Sequence, residues 1–196
     1  LAAIVLFVAV ASAANAADTA RPRDRNILWK IVSACLDAED ADYCRRCMSP
    51  RAGSACIGER RCENTTELWE ETDEFIAMRD IKMCSCPAGF VHGLALPRAV
   101  VRGVEAPQLP QRIWNFAWEV ARRKIDDPAE IALVVNSARQ RSQDQLHVHL
   151  VRLRGDARRN LSGRTASIAG LDGVWSTVSR LAAGSPPLDD YSVLVA

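Results

Sequence analysis

Two of the chain's three histidines are separated by a single residue, in Gln145-Leu146-His147-Val148-His149. In an extended strand, residues two apart point to the same side. Gln145, His147 and His149 then share one face, and Leu146, Val148 and Leu150 fill the other. Two imidazoles and an amide would line a polar stripe on a strand backed by core. Imidazole is nucleophilic near neutral pH. The loop before the strand, Ser137 to Asp144, carries Arg139, Arg141, Ser142 and Gln143, which can donate hydrogen bonds to phosphate oxygens. Together these residues suit attack on a phosphoryl group. A solvated strand face and a metal pair at i and i+2 are the competing readings of the same spacing.

The elements that must hold this stripe can be read from the flanking pattern. Phe90 to Leu96 is apolar and stops at Pro97, which predicts a strand. Pro107 and Pro110 bracket a loop that opens a helix over 112–124, where Ile113, Phe116, Ala117 and Val120 recur at helical spacing. Trp114 and Trp118 on that helix read as core packing. Asp126-Asp127-Pro128 ends it, and Ile131 to Val135 is a β-prone run. Leu146 to Leu153 is the strand that carries the histidines. Residues 158–179 read as helical in pieces, and Tyr191 to Val195 as a last strand. Upstream, Asn26 to Cys35 predicts a short amphipathic helix, and Glu67 to Asp80 a helical piece. His92 reads as a strand or loop residue, and Glu105 as a solvated loop carboxylate.

Composition narrows the class. Lys and Arg total 25 against 24 for Asp and Glu, so no global field points to nucleic acid. A hydrophobic share of 48% is enough for a core without staples. Residues 1–17 are uncharged, apolar and close on Ala14-Asn15-Ala16, a pattern that fits a secretory signal or a short membrane anchor. All seven cysteines, Cys35, Cys44, Cys47, Cys56, Cys62, Cys84 and Cys86, fall between residues 35 and 86. In an exported chain such a cluster reads as disulfides, with one thiol left over, in preference to zinc. The basic run Arg152, Arg154, Arg158 and Arg159 reads equally as a solvated face or as a binding surface for an anionic lipid.

A family resemblance enters at the loop and the strand. Asn136-Ser137, followed by Arg141-Ser142-Gln143-Asp144-Gln145-Leu146-His147-Val148-His149, resembles the signature of bacterial CDP-diacylglycerol pyrophosphatases, which belong to the histidine-triad-like (HIT-like) superfamily. The family pattern is Asn-Ser, a short loop, Arg-Ser/Thr-Gln-Asn-His, then two further histidines at alternate positions. Leu94 to Pro97, Gly103 to Pro107, Trp114 to Arg122 and Arg152 to Leu161 are similar to the flanking segments, so the likeness covers roughly residues 88–165. The sequence departs from the pattern at Gln145, where the first triad histidine is expected.

The resemblance implies hydrolysis of CDP-diacylglycerol to CMP and phosphatidate through a nucleotidyl-histidine intermediate. It implies His147 as nucleophile and His149 as the histidine that contacts phosphate and assists the leaving group. Asn136, Arg141, Gln143 and Gln145 fall at substrate-side positions, Arg141 as a phosphate ligand. No cofactor and no metal is implied. The expected partners are a nucleotide lipid and a membrane surface, and the expected location is the periplasm or the bacterial inner membrane. The expected fold is α+β: a HIT-like antiparallel sheet of about five strands with one main packed helix. The expected order is an export segment at 1–17, a Cys-rich extension with short helices at 18–87, and the catalytic domain at 88–196. Two other functions fit the same residues. One is HIT-like hydrolysis of soluble nucleotide conjugates. The other is an exported Cys-rich binding module that has lost catalysis, which Gln145 would favour.

Overall fold

A computed structural model of the chain describes residues 2–7, 24–34, 67–80, 89–155 and 157–196. All seven cysteines, the rest of the leader and Asp156 lie outside the described residues, and with them the disulfide reading.

The described strands are β1 (Ala2–Phe7), β2 (Glu67–Glu71), β3 (Phe75–Arg79), β4 (His92–Pro97), β5 (Ile131–Val135), β6 (Val148–Arg152), β7 (Arg164–Ile168) and β8 (Ser192–Val195). They form one sheet in the order β2-β3-β4-β6-β5-β8-β1-β7, and each neighbouring pair is antiparallel. The helices are α1 (Ile27–Ala34), α2 (Ile113–Lys124) and α3 (Val174–Ala182). Mixed α and β structure on an antiparallel sheet agrees with the expectation, but the sheet is wider than five strands.

Part of the extra width comes from residues 67–80, expected to be helical. They form the β2–β3 hairpin instead. Thr72 makes the turn, its hydroxyl accepting from the backbone N–H groups of Glu74 and Phe75 at 3.3 and 3.0 Å. Phe75, Ile76, Ala77 and Met78 are all buried, since β3 is covered on both faces. An unbroken apolar run of that kind carries no period, so its sequence does not distinguish strand from helix. Strands β2 and β3 thus belong to the same sheet as β4. The reading of 158–179 as helical in pieces holds in part: Ala157–Asn160 and Leu171–Gly173 are 3-10 turns. Arg164–Ile168 is a strand with alternating exposure, and only Val174–Ala182 is α-helix. Residues 2–7 supply the backbone of β1, between β8 and β7. Among the described residues no helix is long and apolar enough to cross a membrane.

The two faces of the sheet have different tasks. One is the main core, where Ala95, Leu133, Val148 and Leu150 meet α2 and α3. On α2, Ile113, Trp114, Ala117, Val120 and Ala121 are buried, following the helical spacing. Trp114 packs edge-on to Trp175 of α3 with ring centroids 4.9 Å apart. Arg122, Arg123 and Lys124 close α2 and complement its negative end. Burial of each large side chain here is worth about 2 kcal/mol. On the other face Leu28, Ile31 and Val32 of α1 pack on Leu68, Ile76, Met78, Leu94 and Leu96. This second face carries the histidines.

Candidate active site

Strand β6 lies between β4 and β5. His149 is paired with Leu94 on one side and Val134 on the other. The alternation read from the sequence holds: Leu146, Val148 and Leu150 are buried in the main core. His147 stands just before β6, in a stretch anchored by the Leu146 N–H to Val101 O bond of 2.6 Å.

His147 Nδ1 lies 2.7 Å from the backbone oxygen of Gln145. A carbonyl oxygen only accepts, so Nδ1 carries the proton and Nε2 keeps its lone pair. The ring is buried. That burial lowers its pKa below the ordinary imidazole value, outweighing the opposing effect of the Gln145 carbonyl; Arg141 adds to the depression. His147 is therefore neutral at pH 7, with a defined tautomer and a nucleophilic Nε2.

His149 stands edge-on to His147, with ring centroids 4.8 Å apart. Its Nε2 is 3.1 Å from the Asn136 side-chain amide. Its Nδ1 is 2.8 Å from Nε2 of His92, and the two rings stack at 5.1 Å. Asp80 Oδ2 lies 3.7 Å from the same His92 nitrogen. His92 sits on β4 opposite Val151, diagonal to His149, within reach of a long side chain. The sequence reading left His92 and Asp80 without a role. The available signal was a third histidine inside an apolar run already expected to be a strand.

Four of the expected site residues behave in distinct ways. Asn136 Nδ2 reaches His149 Nε2. Gln145 is buried, and its side chain is occupied elsewhere: Nε2 donates to Pro97 O and Ala99 O at 3.0 and 2.7 Å, and Oε1 accepts from Val101 N at 3.2 Å. It ties residues 97–101 to the catalytic segment, and its main chain orients His147. Gln143 accepts from Leu28 N at 3.1 Å and donates to Asp24 O at 2.9 Å. This fastens the start of α1; the amide does not extend to the histidines as a substrate ligand.

Arg141, expected to hold phosphate, is buried and its guanidinium forms a two-pronged ion pair with Glu105. Burial raises the Glu105 pKa, but the Arg141 hydrogen bonds win and hold it below the usual carboxylate value. Gly103 makes room for this pair. Its φ is +53°, and a Cβ there would overlap both the guanidinium and the Glu105 carboxylate. Asp144 is held low chiefly by its hydrogen bonds from Arg25, at 2.9 and 2.6 Å. Beside this corner Ala99, Val100, Val101, Arg102, Ala106 and Pro107 line an open cleft of about 690 Å³.

Among the described residues, Asp80, His92 and His149 could offer three metal ligands, with donor atoms within 4.8 Å of one another. The 2.8 Å spacing of the two ring nitrogens is a hydrogen-bond length. It is shorter than the roughly 3.3 Å between two nitrogens on a tetrahedral zinc ion.

A neutral, oriented imidazole backed by a second histidine on a sheet strand can act as a nucleophile or a general base, the chemistry that many hydrolytic enzymes use. The family model described as CDP-diacylglycerol pyrophosphatase matches residues 23–184, and the chain belongs to that family. It is thus a hydrolase of the CDP-diacylglycerol pyrophosphatase type. A comparison with curated proteins gave no match.

Proposed function

We propose that the protein splits the pyrophosphate of CDP-diacylglycerol by covalent catalysis at His147, on a HIT-like fold. The observation that carries this reading is the Nδ1 contact with the Gln145 carbonyl, which leaves Nε2 as the only basic nitrogen of a buried neutral ring. Nε2 attacks the phosphorus of the CMP half. The bond from that phosphorus to the bridging oxygen breaks, and phosphatidate departs with its electron pair. Water then attacks the same phosphorus, the P–N bond breaks back onto Nε2, and CMP is released. His149 and Asn136 border the reacting atoms and serve the phosphate oxygens. The lipid nature of the substrate, the apolar stretch at residues 1–17 and the cysteine cluster at 35–86 support action at a membrane surface, in the periplasm or on the inner membrane.

The test is to label the CMP phosphorus of CDP-diacylglycerol, quench within the first turnovers and map the label. It should appear on His147. His147→Ala should abolish both the labelled peptide and turnover. Full hydrolysis by His147→Ala would overturn the assignment.

A further inference from the structure

The hydrolysis just described leaves two groups unexplained: Asp80 and His92, both largely shielded and aligned behind His149. We propose that Asp80 and His92 form a proton relay that sets the protonation of His149, so that His149 delivers a proton to the departing phosphatidate and recovers it from the attacking water. This inference rests on the covalent reading above.

The geometry defines the route. His92 Nε2 and His149 Nδ1 are 2.8 Å apart, so one proton serves both nitrogens. With Nε2–H on His92, His149 Nδ1 is the acceptor and the His149 proton sits on its Nε2. That nitrogen is the one beside Asn136. The relay requires His92 in its doubly protonated, positively charged form, a charge that the Asp80 carboxylate, 3.7 Å from Nε2, would offset. As the P–O bond breaks, the leaving oxygen takes the Nε2 proton of His149. The proton shared with His92 moves to His149 Nδ1, and His92 becomes neutral. In the second half, water attacks the nucleotidyl-histidine and loses a proton to His149 Nε2, while the shared proton returns to His92. One proton leaves the relay and one enters it, so the cycle closes. Asn136 presents its Nδ2 to His149 Nε2, which matches the deprotonated state of that nitrogen; the protonated state requires the amide turned so that its oxygen accepts.

A relay makes a prediction that simple packing does not. Its loss should hurt in proportion to how badly the leaving group needs a proton. Phenyl, 4-nitrophenyl and 2,4-dinitrophenyl esters of CMP span that need, and dinitrophenolate departs without a proton. His92→Gln keeps a side-chain donor near the same place but cannot carry the charge. General-acid assistance is worth about 100-fold or more, so His92→Gln should lose about 100-fold in kcat/KM on the phenyl ester and at most about 3-fold on the dinitrophenyl ester. Asp80→Asn should show the same trend at about 10-fold on the phenyl ester. An equal loss on all three esters in both variants would overturn the relay and leave His92 a packing residue. Loss of wild-type activity on chelation, with the same leaving-group trend, would overturn it in favour of a bound metal ion. Trapping labelled histidine with the dinitrophenyl ester separates the two readings. No label in the wild type removes the covalent intermediate, whereas label in wild type and His92→Gln with uniform rate losses removes only the relay.

Discussion

Gln145 occupies the place where the family pattern has a histidine, and the structure predicts what restoring that histidine would do. The amide makes three hydrogen bonds with 97–101: two donated to carbonyls and one accepted from an N–H. A neutral imidazole has one donor and one acceptor, so Gln145→His can serve at most one of the Pro97 and Ala99 carbonyls. Loss of the bond to the buried Pro97 carbonyl costs about 1–3 kcal/mol, whereas the carbonyl of the exposed Ala99 can turn to water. With a urea dependence of about 2 kcal/mol per molar, the unfolding midpoint should fall by about 1 M. Fluorescence of the buried Trp114 and Trp175 reports that transition. Activity should not rise. The bond that orients His147 comes from the main chain of residue 145, and the substitution leaves that carbonyl in place. Measured kcat/KM on CDP-diacylglycerol should therefore stay level or fall. A variant with an unchanged urea midpoint and a several-fold higher kcat/KM would refute the view that Gln145 has replaced the histidine structurally.

Two further outcomes follow from the same geometry. Burial lowers the His147 pKa, so the acid limb of the kcat/KM profile should lie below the ordinary imidazole value of 6.5. The folded protein also binds this proton less readily than the unfolded chain; stability from this group is full above 6.5 and drains away as pH falls through the folded pKa, which urea titrations at several pH values will show. A flat midpoint from neutral pH down to the acid transition would contradict it. Gly103→Ala puts a side chain at φ +53°, a left-handed conformation costing about 1–2 kcal/mol, and drives it into the Arg141–Glu105 pair. The melting temperature should drop by at least several degrees, and an unchanged one would mean that the loop refolds freely.

The legible parts of the chain were those with a period. The helix over 113–124 and the strand at Ile131–Val135 each show one, or a clean apolar run between breakers, and both formed as read. Residues 75–79 had no period because both of their faces are covered, and they went from expected helix to strand. The site divides along a similar line. His147 and His149 were visible because the spacing of two on a strand is local. Asp80 and His92 were not, because their meeting with His149 depends on β4 lying beside β6, a pairing 57 residues apart in the case of His92. Arg141 and Gln143 were read as ligands from residue type and from the family resemblance. Type cannot show that the guanidinium is paired with Glu105, or that the amide fastens Asp24 and Leu28.

These displaced roles explain why the loop before β6 is polar without being mainly a phosphate cradle. Residues 141–145 hold three separate pieces of chain. Arg141 takes the 103–105 turn, Gln143 and Asp144 take the entry to α1, and Gln145 takes 97–101. A loop held on three sides has little freedom left. That rigidity is what the proposed nucleophile requires, because a shift of the residue 145 backbone would release His147 Nδ1 and with it the tautomer. The departure from the family pattern at Gln145 therefore alters how the catalytic segment is braced, while the His147 orientation is kept by an atom that every residue type supplies.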